Sequence, residues 1–451
     1  MKRWGLLRYF APAPHVPRLP DDEVKRLYPK FRWQILEATF FGYAMFYLVR
    51  NNFSVVSEDM QAGLHYDKSM IGNILAITAL SYGVGKFLMG AWSDRSNARV
   101  FMPFGLLLTA VCNFAFGATA DYTVHLLLWS LNGFVQGMGW PPCGRCMGHW
   151  FSEKERGLTF STWNTSHNLG GAVAGVIAAH AAHHFGGWQY AFYVPGVLAA
   201  IGAVYLFWRL RDTPQSVGLP PIEEYRNDYT EHERIHGTLE RELTYRELLV
   251  ERVLTNKLIW LLAFANFFAY ITRYSMLDWG PMYVREMKGA TLIGGGNVIF
   301  YIEMGGIPST ILLGWISDRL GGRRGMVATL SMVPILAAFT AILFIPAGYL
   351  WLDMVMLFAV GFFIYPVINL ITIIALDVSS KKAIGTAAGF IGLFGYIGRM
   401  AQAKGFGAML HYSEDLYGKQ TAWNLVLYSI LASTAIAVLL LALTWRVKPQ
   451  A

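Results

Sequence analysis

Charged residues are scarce in this sequence, and their scarcity argues against an ordinary soluble protein. Only 15% of the 451 residues are Asp, Glu, Lys or Arg, whereas about a quarter of the residues in a typical soluble domain are charged. The apolar stretches reach the ~20 residues that a helix needs to cross a ~30 Å hydrocarbon layer. A large soluble enzyme with a buried core does not need apolar runs of this length. We therefore predict a polytopic membrane protein.

Cysteine is also rare, and the three cysteines of the chain make no disulfide framework. Cys143 and Cys146 form a C-x-x-C pair, a spacing that also occurs in redox and metal sites. No second pair accompanies them, and they lie in or beside an apolar run. We interpret both as small residues that pack between helices, and we expect neither a metal nor a cofactor.

The apolar runs predict an all-α membrane protein with twelve transmembrane helices. Residues 1–32 are basic and rich in proline, and they lack the apolar core and cleavage site of a signal peptide, so we expect a cytoplasmic tail there. The predicted spans are residues 33–56, 70–92, 99–119, 124–147, 158–182, 189–208, 258–280, 291–315, 326–346, 350–373, 384–409 and 422–444.

The distribution of basic residues predicts the orientation of these spans. If both termini lie inside, the inner segments hold 27 of the 37 Lys and Arg residues, the outer loops hold 4 and the spans hold 6. Inner loops of membrane proteins carry such an excess of basic residues. Topology therefore accounts for the net charge of +8, and we expect no nucleic acid partner.

The chain divides into two similar halves. A polar central loop, residues 209–257, separates a six-helix half at 33–208 from another at 258–444, and residues 445–451 form a cytoplasmic tail. The segment GAWSDR at 90–95 recurs as GWISDR at 314–319 in the corresponding position of the second half. This pattern indicates pseudo-symmetric halves, with a binding site expected near the midplane where they meet.

Two arginines, Arg50 and Arg273, lie inside apolar runs at matching positions of the halves. A charged side chain within a span is energetically expensive and usually faces a cavity or a partner. A guanidinium remains charged and offers a planar fork of donors that matches two phosphate oxygens. The pair thus favours a dianionic ligand between the halves, and the alternative is neutralisation by a carboxylate such as Glu303 or Glu37.

Several longer segments resemble one family. SYGVGKFLMGAWSDRSNARVFMP, QGMGWPPCGR, WFSEKERG and WNTSHNLGG resemble the organophosphate:phosphate antiporters of the major facilitator superfamily, and the resemblance runs from about residue 11 to about residue 397. It implies a monomeric inner-membrane transporter, not an enzyme. Such a protein exchanges an external organic phosphate, here expected to be sn-glycerol-3-phosphate, for internal inorganic phosphate by alternating access.

The resemblance also implies roles for individual residues. Arg50 and Arg273 would bind the phosphate, Lys86 would lie near the substrate path, and His167 would contact the substrate. Lys86 could instead extend its ammonium to the membrane interface, and His167 could be a packing residue.

Three tyrosines belong to the same expected site. Tyr43 and Tyr47 share one helical face with Arg50, and Tyr270 precedes Arg273 by one turn. Their hydroxyl groups could donate to the substrate, and the alternative is aromatic packing. The paired motifs after the second span of each half place Asp94, Arg95, Asp318 and Arg319 at the cytoplasmic ends of helices, where we expect hinges and salt bridges that change between conformations.

The sequence departs from the family at two places. Asn51 stands where a lysine often follows the first arginine, and Arg399 and Lys404 occupy the eleventh span, where glycerol-3-phosphate-transporting members have small neutral residues. The two cations either contact lipid and loops or form a second anion subsite that favours a phosphoglycerate.

Two other functions remain open from the sequence. The chain could transport a different phosphate ester, such as a phosphoglycerate or a hexose phosphate. It could also be a sensor of sugar phosphates that does not transport, because such relatives share the arginines. An enzyme acting on phosphate esters would need a metal cluster or a nucleophile–base pair, and the sequence offers neither pattern.

Overall fold

Helices and short turns build the computed structural model, which describes residues 7–227, 253–377 and 384–447. Aspartate caps begin two of the described helices: Asp67 accepts a hydrogen bond from the Met70 amide at 2.7 Å, and Asp121 accepts one from the Val124 amide at 2.8 Å. These bonds satisfy amide groups that have no partner in the first helical turn.

The helices of the first half precede the central loop, most of which lies outside the described residues. They are α1 (Asp21–Leu48), α2 (Asn52–Val55), α3 (Ser57–Leu64), α4 (Lys68–Ser93), α5 (Ala98–Gly117), α6 (Tyr122–Gln136), α7 (Trp140–Trp150), α8 (Glu153–Phe185), α9 (Tyr190–Arg209) and α10 (Ile222–Arg226).

The helices of the second half follow the central loop. They are α11 (Lys257–Asp278), α12 (Gly280–Lys288), α13 (Leu292–Arg319), α14 (Arg324–Phe344), α15 (Leu350–Asp377), α16 (Ile384–Tyr417) and α17 (Lys419–Ala442).

Each predicted span coincides with a helix or a pair of helices, so the fold class is confirmed. The first helix begins at Asp21, earlier than predicted, and the eleventh span continues to Tyr417. The fourth span is interrupted between α6 and α7 at residues 137–139, just before two prolines. Seven of the described helices are apolar and long enough to cross a membrane by hydropathy alone. Helices α1, α8, α11 and α16 are not among the seven.

The two ends of the bundle differ in their connections. At the end where α1 begins and α9 finishes, here called the terminal end, the amide of Ala13 donates to Asp212 Oδ2 at 3.1 Å and the hydroxyl of Tyr28 donates to the carbonyl of Pro220 at 3.0 Å. The segment before α1 is therefore bound to the segment after α9. The opposite end, where α4 and α13 begin, is here called the far end.

Close contacts between the halves are concentrated at the far end, where α4 packs along α16 and α8 packs along α13. A Cβ added to Gly72 would lie 2.6 Å from the carbonyl oxygen of Ala403, and one added to Gly175 would lie 2.6 Å from that of Gly296. These distances leave no room for a side chain. Nearer the terminal end, a Cβ on Gly389 would meet nothing within 4 Å among the described atoms.

Candidate functional site

Arg50 lies directly after α1, where the chain turns before α2 begins. Its side chain is buried, and the guanidinium carbon lies 4.0 Å from the ring centroid of Tyr82 and 4.9 Å from that of Tyr47. No hydrogen-bond partner among the described residues reaches its Nη2. Aromatic faces, and not carboxylates, therefore surround this cation.

Arg273 has a similar environment in the second half. It lies in the last two turns of α11, is buried, and places its guanidinium carbon 4.3 Å from the ring of Tyr365 and 5.0 Å from that of Tyr274. In the described part of the chain, no partner reaches its Nε, and neither arginine has a carboxylate oxygen within 4.0 Å. Aromatic rings attract a cation through their electron-rich faces but do not neutralise its charge.

His167 connects the two aromatic environments. It lies on α8, and its ring is 5.7 Å from that of Tyr47 and 5.6 Å from that of Tyr365. Its Nδ1 is hydrogen-bonded to the carbonyl oxygen of Asn164. Because a carbonyl only accepts, Nδ1 carries the hydrogen, which leaves Nε2 for another partner. The structure thus brings Arg50, Tyr47, His167 and Arg273 into one continuous site.

The predicted tyrosines differ in their positions. Tyr47 contacts Arg50. Tyr43 instead stacks on Trp163, with ring centroids 5.1 Å apart. Tyr270 is 5.5 Å from Tyr396 and does not cover Arg273, although it precedes that arginine by the same three residues. The repeated spacing does not produce a repeated contact.

Aromatic rings connect Lys86 to the site. Its Nζ lies 5.3 Å from the centroid of Trp140 and 6.0 Å from that of Tyr396, and Tyr396 in turn is 4.9 Å from Tyr82. Lys86 as a whole is half-buried. Its role near the substrate path stays a prediction.

The two carboxylates considered as counterions have different partners. Glu37 binds Arg209 at 2.7 Å and accepts a hydrogen bond from Tyr205 at 2.6 Å, so it pairs with neither Arg50 nor Arg273. Glu303 is buried on α13 and accepts a hydrogen bond from Asn168 of the first half at 2.8 Å. Glu303 thus links the two halves inside the site.

Arg399 and Lys404 lie in different environments. Arg399 is buried and binds Asp278 with Nη2 2.7 Å from Oδ1, whereas Lys404 is exposed. A lipid contact for Arg399 is therefore wrong. Its guanidinium carbon lies 4.0 Å from the ring of Tyr274, so it adjoins the site but already has a counterion.

The residues proposed to change partners between conformations are only partly described. The side chains of Asp94 and Arg95 are exposed, and Arg145 donates to the backbone carbonyls of Ser93 and Asp94 instead. Arg319 lies 4.1 Å over Trp315. The side chain of Asp318 lies outside the described residues. The gating role stays a prediction.

Sequence reasoning missed the aromatic contacts of the arginines. Tyr82 and Tyr365 lie far from the two arginines in sequence. Tyr274 and Tyr396 belong to no motif that indicates a contact with a cation. Tyr82 had one available signal, because it precedes Lys86 by four residues on the same helical face. Cys143 and Cys146 are both buried, and neither is in a disulfide.

Comparisons with known proteins identify the family to which a chain with this site belongs. A family model described as "Major Facilitator Superfamily" matches residues 39–403. A glycerol-3-phosphate transporter of Bacillus subtilis (strain 168) is 41% identical over 451 residues, covering 99% of each chain. The membrane sensor protein UhpC of Escherichia coli (strain K12) is 37% identical, covering 86% of this chain and 88% of that protein.

A solved structure is also similar. A bacterial homologue of the human lysosomal transporter Spinster, in an inward-facing and occupied conformation, aligns with a TM-score of 0.71 at 14% identity, covering 92% of this chain and 97% of that one. At this identity the likeness supports the fold alone.

Proposed function

The chain belongs to the Major Facilitator Superfamily, and on that premise we propose that it exchanges external sn-glycerol-3-phosphate for internal inorganic phosphate across a bacterial inner membrane. It is an organophosphate transporter and not an enzyme. The superfamily moves substrates by alternating access between two half-bundles around a midplane site.

The observation that carries the proposal is a pair of buried arginines that have no carboxylate partner among the residues that the structure describes. Arg50 comes from the first half and Arg273 from the second, and each is covered by tyrosine rings. A buried, unpaired charge is costly, so this arrangement favours a ligand that supplies the opposite charge. A phosphate dianion provides two charges and several acceptor oxygens for two guanidinium forks.

Exchange follows from the same electrostatics. In the empty site the two like charges repel one another, and this opposes the approach of the halves. Phosphate or a phosphate ester between them replaces the repulsion with two attractions. A loaded carrier therefore closes and reopens on the other side, whereas an empty carrier crosses slowly. The outward gradient of inorganic phosphate then drives uptake of the ester.

The rest of the site fits a small monophosphate ester. The ring nitrogen Nε2 of His167 and the hydroxyl of Tyr47 are groups that can bind hydroxyl or phosphate oxygens. Asp278 already neutralises Arg399. Arg399 is therefore not available to bind a carboxylate group of the substrate. This supports glycerol-3-phosphate over a phosphoglycerate.

The orientation is part of the proposal. The excess of basic residues in the inner loops puts both termini in the cytoplasm. The terminal end then faces the cytoplasm and the far end faces outward.

Uptake of labelled glycerol-3-phosphate into proteoliposomes tests the proposal. Uptake should require internal phosphate, and Arg50→Lys should abolish it, because an ammonium cannot offer the bidentate fork. Arg226→Lys, at an exposed arginine that binds Glu155, is the matched control and should leave uptake unchanged. Uptake that proceeds without internal phosphate would contradict exchange.

A sugar-phosphate sensor is the second candidate, because the sensor UhpC covers most of this chain at 37% identity. A sensor would bind phosphate esters but show neither ester uptake nor phosphate exchange. Measuring binding and exchange on the same purified preparation separates the two functions.

A further inference from the structure

Lys68 joins the two halves at the far end of the bundle. It begins α4 in the first half, and its side chain is only 6% exposed. Its ammonium lies 2.6 Å from Glu286 of α12 and 2.7 Å from Glu414 of α16, both in the second half. Glu286 also accepts a hydrogen bond from the indole of Trp423 at 2.7 Å.

A second ion pair crosses the same boundary in the opposite direction. Arg285, the neighbour of Glu286, binds Glu58 at 2.8 Å and Asp59 at 2.6 Å, and both carboxylates belong to α3 in the first half. In the described ranges, ion pairs between the halves occur only in this cluster. Each half thus supplies both a cation and carboxylates to the other.

The cluster lies over close backbone contacts between the two halves. One turn below Lys68, Gly72 meets the backbone of Ala403, and a Cβ on Gly407 would lie 2.6 Å from the carbonyl oxygen of Lys68. These backbones must separate before any solute passes from the far end to the arginines. The ion pairs must break in the same movement.

We propose that Lys68 and Arg285 are positioning residues for exchange, which hold the transporter closed at its outer face and set the fraction of molecules that open outward. In the closed state Lys68 separates two carboxylates that would otherwise repel each other, and that of Glu286 is buried. In the open state water hydrates all three groups. Removal of the ammonium therefore disfavours the closed state selectively.

The neighbouring Lys419 provides a matched control. It lies 3.7 Å from Glu414 but belongs to the second half, like Glu414 itself, and its side chain is 48% exposed. Lys419→Met and Lys68→Met remove the same charge from the same cluster. Only Lys68→Met removes a connection between the halves.

The test is the labelling rate of a cysteine below the cluster by a membrane-impermeant maleimide, in right-side-out vesicles that contain the full-length protein. Ala76 is suitable, because it is 5% exposed and lies one turn after Gly72 on the same face of α4. The native cysteines are buried and give the background rate in the protein that retains Ala76.

The proposal predicts that Lys68→Met accelerates labelling of Ala76→Cys about tenfold. Lys68→Arg and Lys419→Met should leave the rate unchanged, and Arg285→Met should accelerate it by a similar factor. Retained phosphate exchange in each variant excludes misfolding, and Arg285→Met carries the test if Lys68→Met does not fold. Equal labelling rates in all variants would overturn the proposal.

The labelling assay needs no substrate, so a wrong substrate assignment does not affect it. If the orientation in the membrane is the reverse of that proposed, the accelerated labelling appears in inside-out vesicles instead. That outcome would overturn the assignment to the outer face.

Discussion

Arg399 and Asp278 form a buried two-point ion pair, with Nη2 2.7 Å from Oδ1 and Nε 3.2 Å from Oδ2. Gln402 donates a further hydrogen bond to the same carboxylate at 2.6 Å. Arg399 also covers the ring of Tyr274, which contacts Arg273. Within the described residues, a third arginine is thus neutralised beside two arginines that have no carboxylate partner.

Loss of one partner of this pair should destabilise the protein more than loss of both. Asp278→Asn leaves a buried guanidinium uncompensated and should cost ~3–5 kcal/mol, whereas the double variant Arg399→Met/Asp278→Leu should recover most of that loss. Thermal unfolding in detergent measures the difference. The exposed pair of Arg18 and Glu224 is the control, and Glu224→Gln should leave the unfolding temperature unchanged. A double variant that is no more stable than Asp278→Asn would contradict a coupled pair.

The same carboxylate should influence substrate selection. In Asp278→Asn, Arg399 loses its counterion and is free to bind an anionic group in the site. A substrate with a carboxylate in addition to its phosphate should then compete better with glycerol-3-phosphate. We expect the inhibition constant of 3-phosphoglycerate, relative to that of glycerol-3-phosphate, to fall about tenfold, a change of ~1.4 kcal/mol. Arg399→Gln in the same background should restore the original ratio. An unchanged ratio would show that Arg399 does not act on the substrate.

The aromatic rings of the tyrosines should orient the guanidinium groups of the arginines for phosphate binding. The ring of Tyr365 lies 4.3 Å from the guanidinium carbon of Arg273. Tyr365→Phe keeps the ring and should change the KM for phosphate by less than about twofold. Tyr365→Leu removes a contact of ~1–2 kcal/mol and should raise KM about 5–30-fold. Initial rates of phosphate exchange measure both values, and equal effects would indicate that the hydroxyl group matters more than the ring.

A carboxylate at the terminal end should make stability depend on pH. Burial raises the pKa of Glu155, but hydrogen bonds from Arg32 and the Ser152 amide outweigh it, so the net pKa lies below the usual range. A lowered folded-state pKa stabilises the fold fully above the unfolded pKa, about 4.3 for glutamate, and this stabilisation is lost as the pH falls through the folded-state pKa.

Unfolding temperatures of the wild type and Glu155→Gln test this dependence. The variant should unfold ~1–3 °C lower at pH 7, and the difference should disappear toward pH 3. Arg32→Gln should reproduce the loss at pH 7, because it removes a donor to the same carboxylate. A difference that persists at low pH would show that the carboxylate charge is not the cause.

The sequence predicted the architecture because its signals are local. Apolar runs, the repeated SDR motif and the distribution of basic residues each report on short segments, and the twelve spans follow from them. Arg50 and Arg273 were also predictable, since a charge inside an apolar run is conspicuous without any knowledge of its neighbours. The early start of α1 at Asp21 was missed because its first turns are polar and lie before the apolar run.

The partners of the site residues could not be predicted, because they come from distant helices. Nothing in the sequence connects Arg273 to Tyr365, or Arg399 to Asp278, until the helices pack. Tyr270 has the spacing of Tyr47 but lies against Tyr396, since α11 continues past Arg273 whereas α1 ends before Arg50. The far-end cluster of Lys68 and Arg285 joins four helices, α3, α4, α12 and α16, and has no sequence motif.

The central claim is that Arg50 and Arg273 hold one phosphate together, and calorimetric titration of the purified protein with inorganic phosphate tests it most directly. The account predicts one phosphate per chain in the wild type. It also predicts a loss of binding of at least about a hundredfold in each of Arg50→Lys and Arg273→Lys, with little further loss in the double variant. Two phosphates per chain, or single variants whose losses add in the double variant, would contradict a shared site.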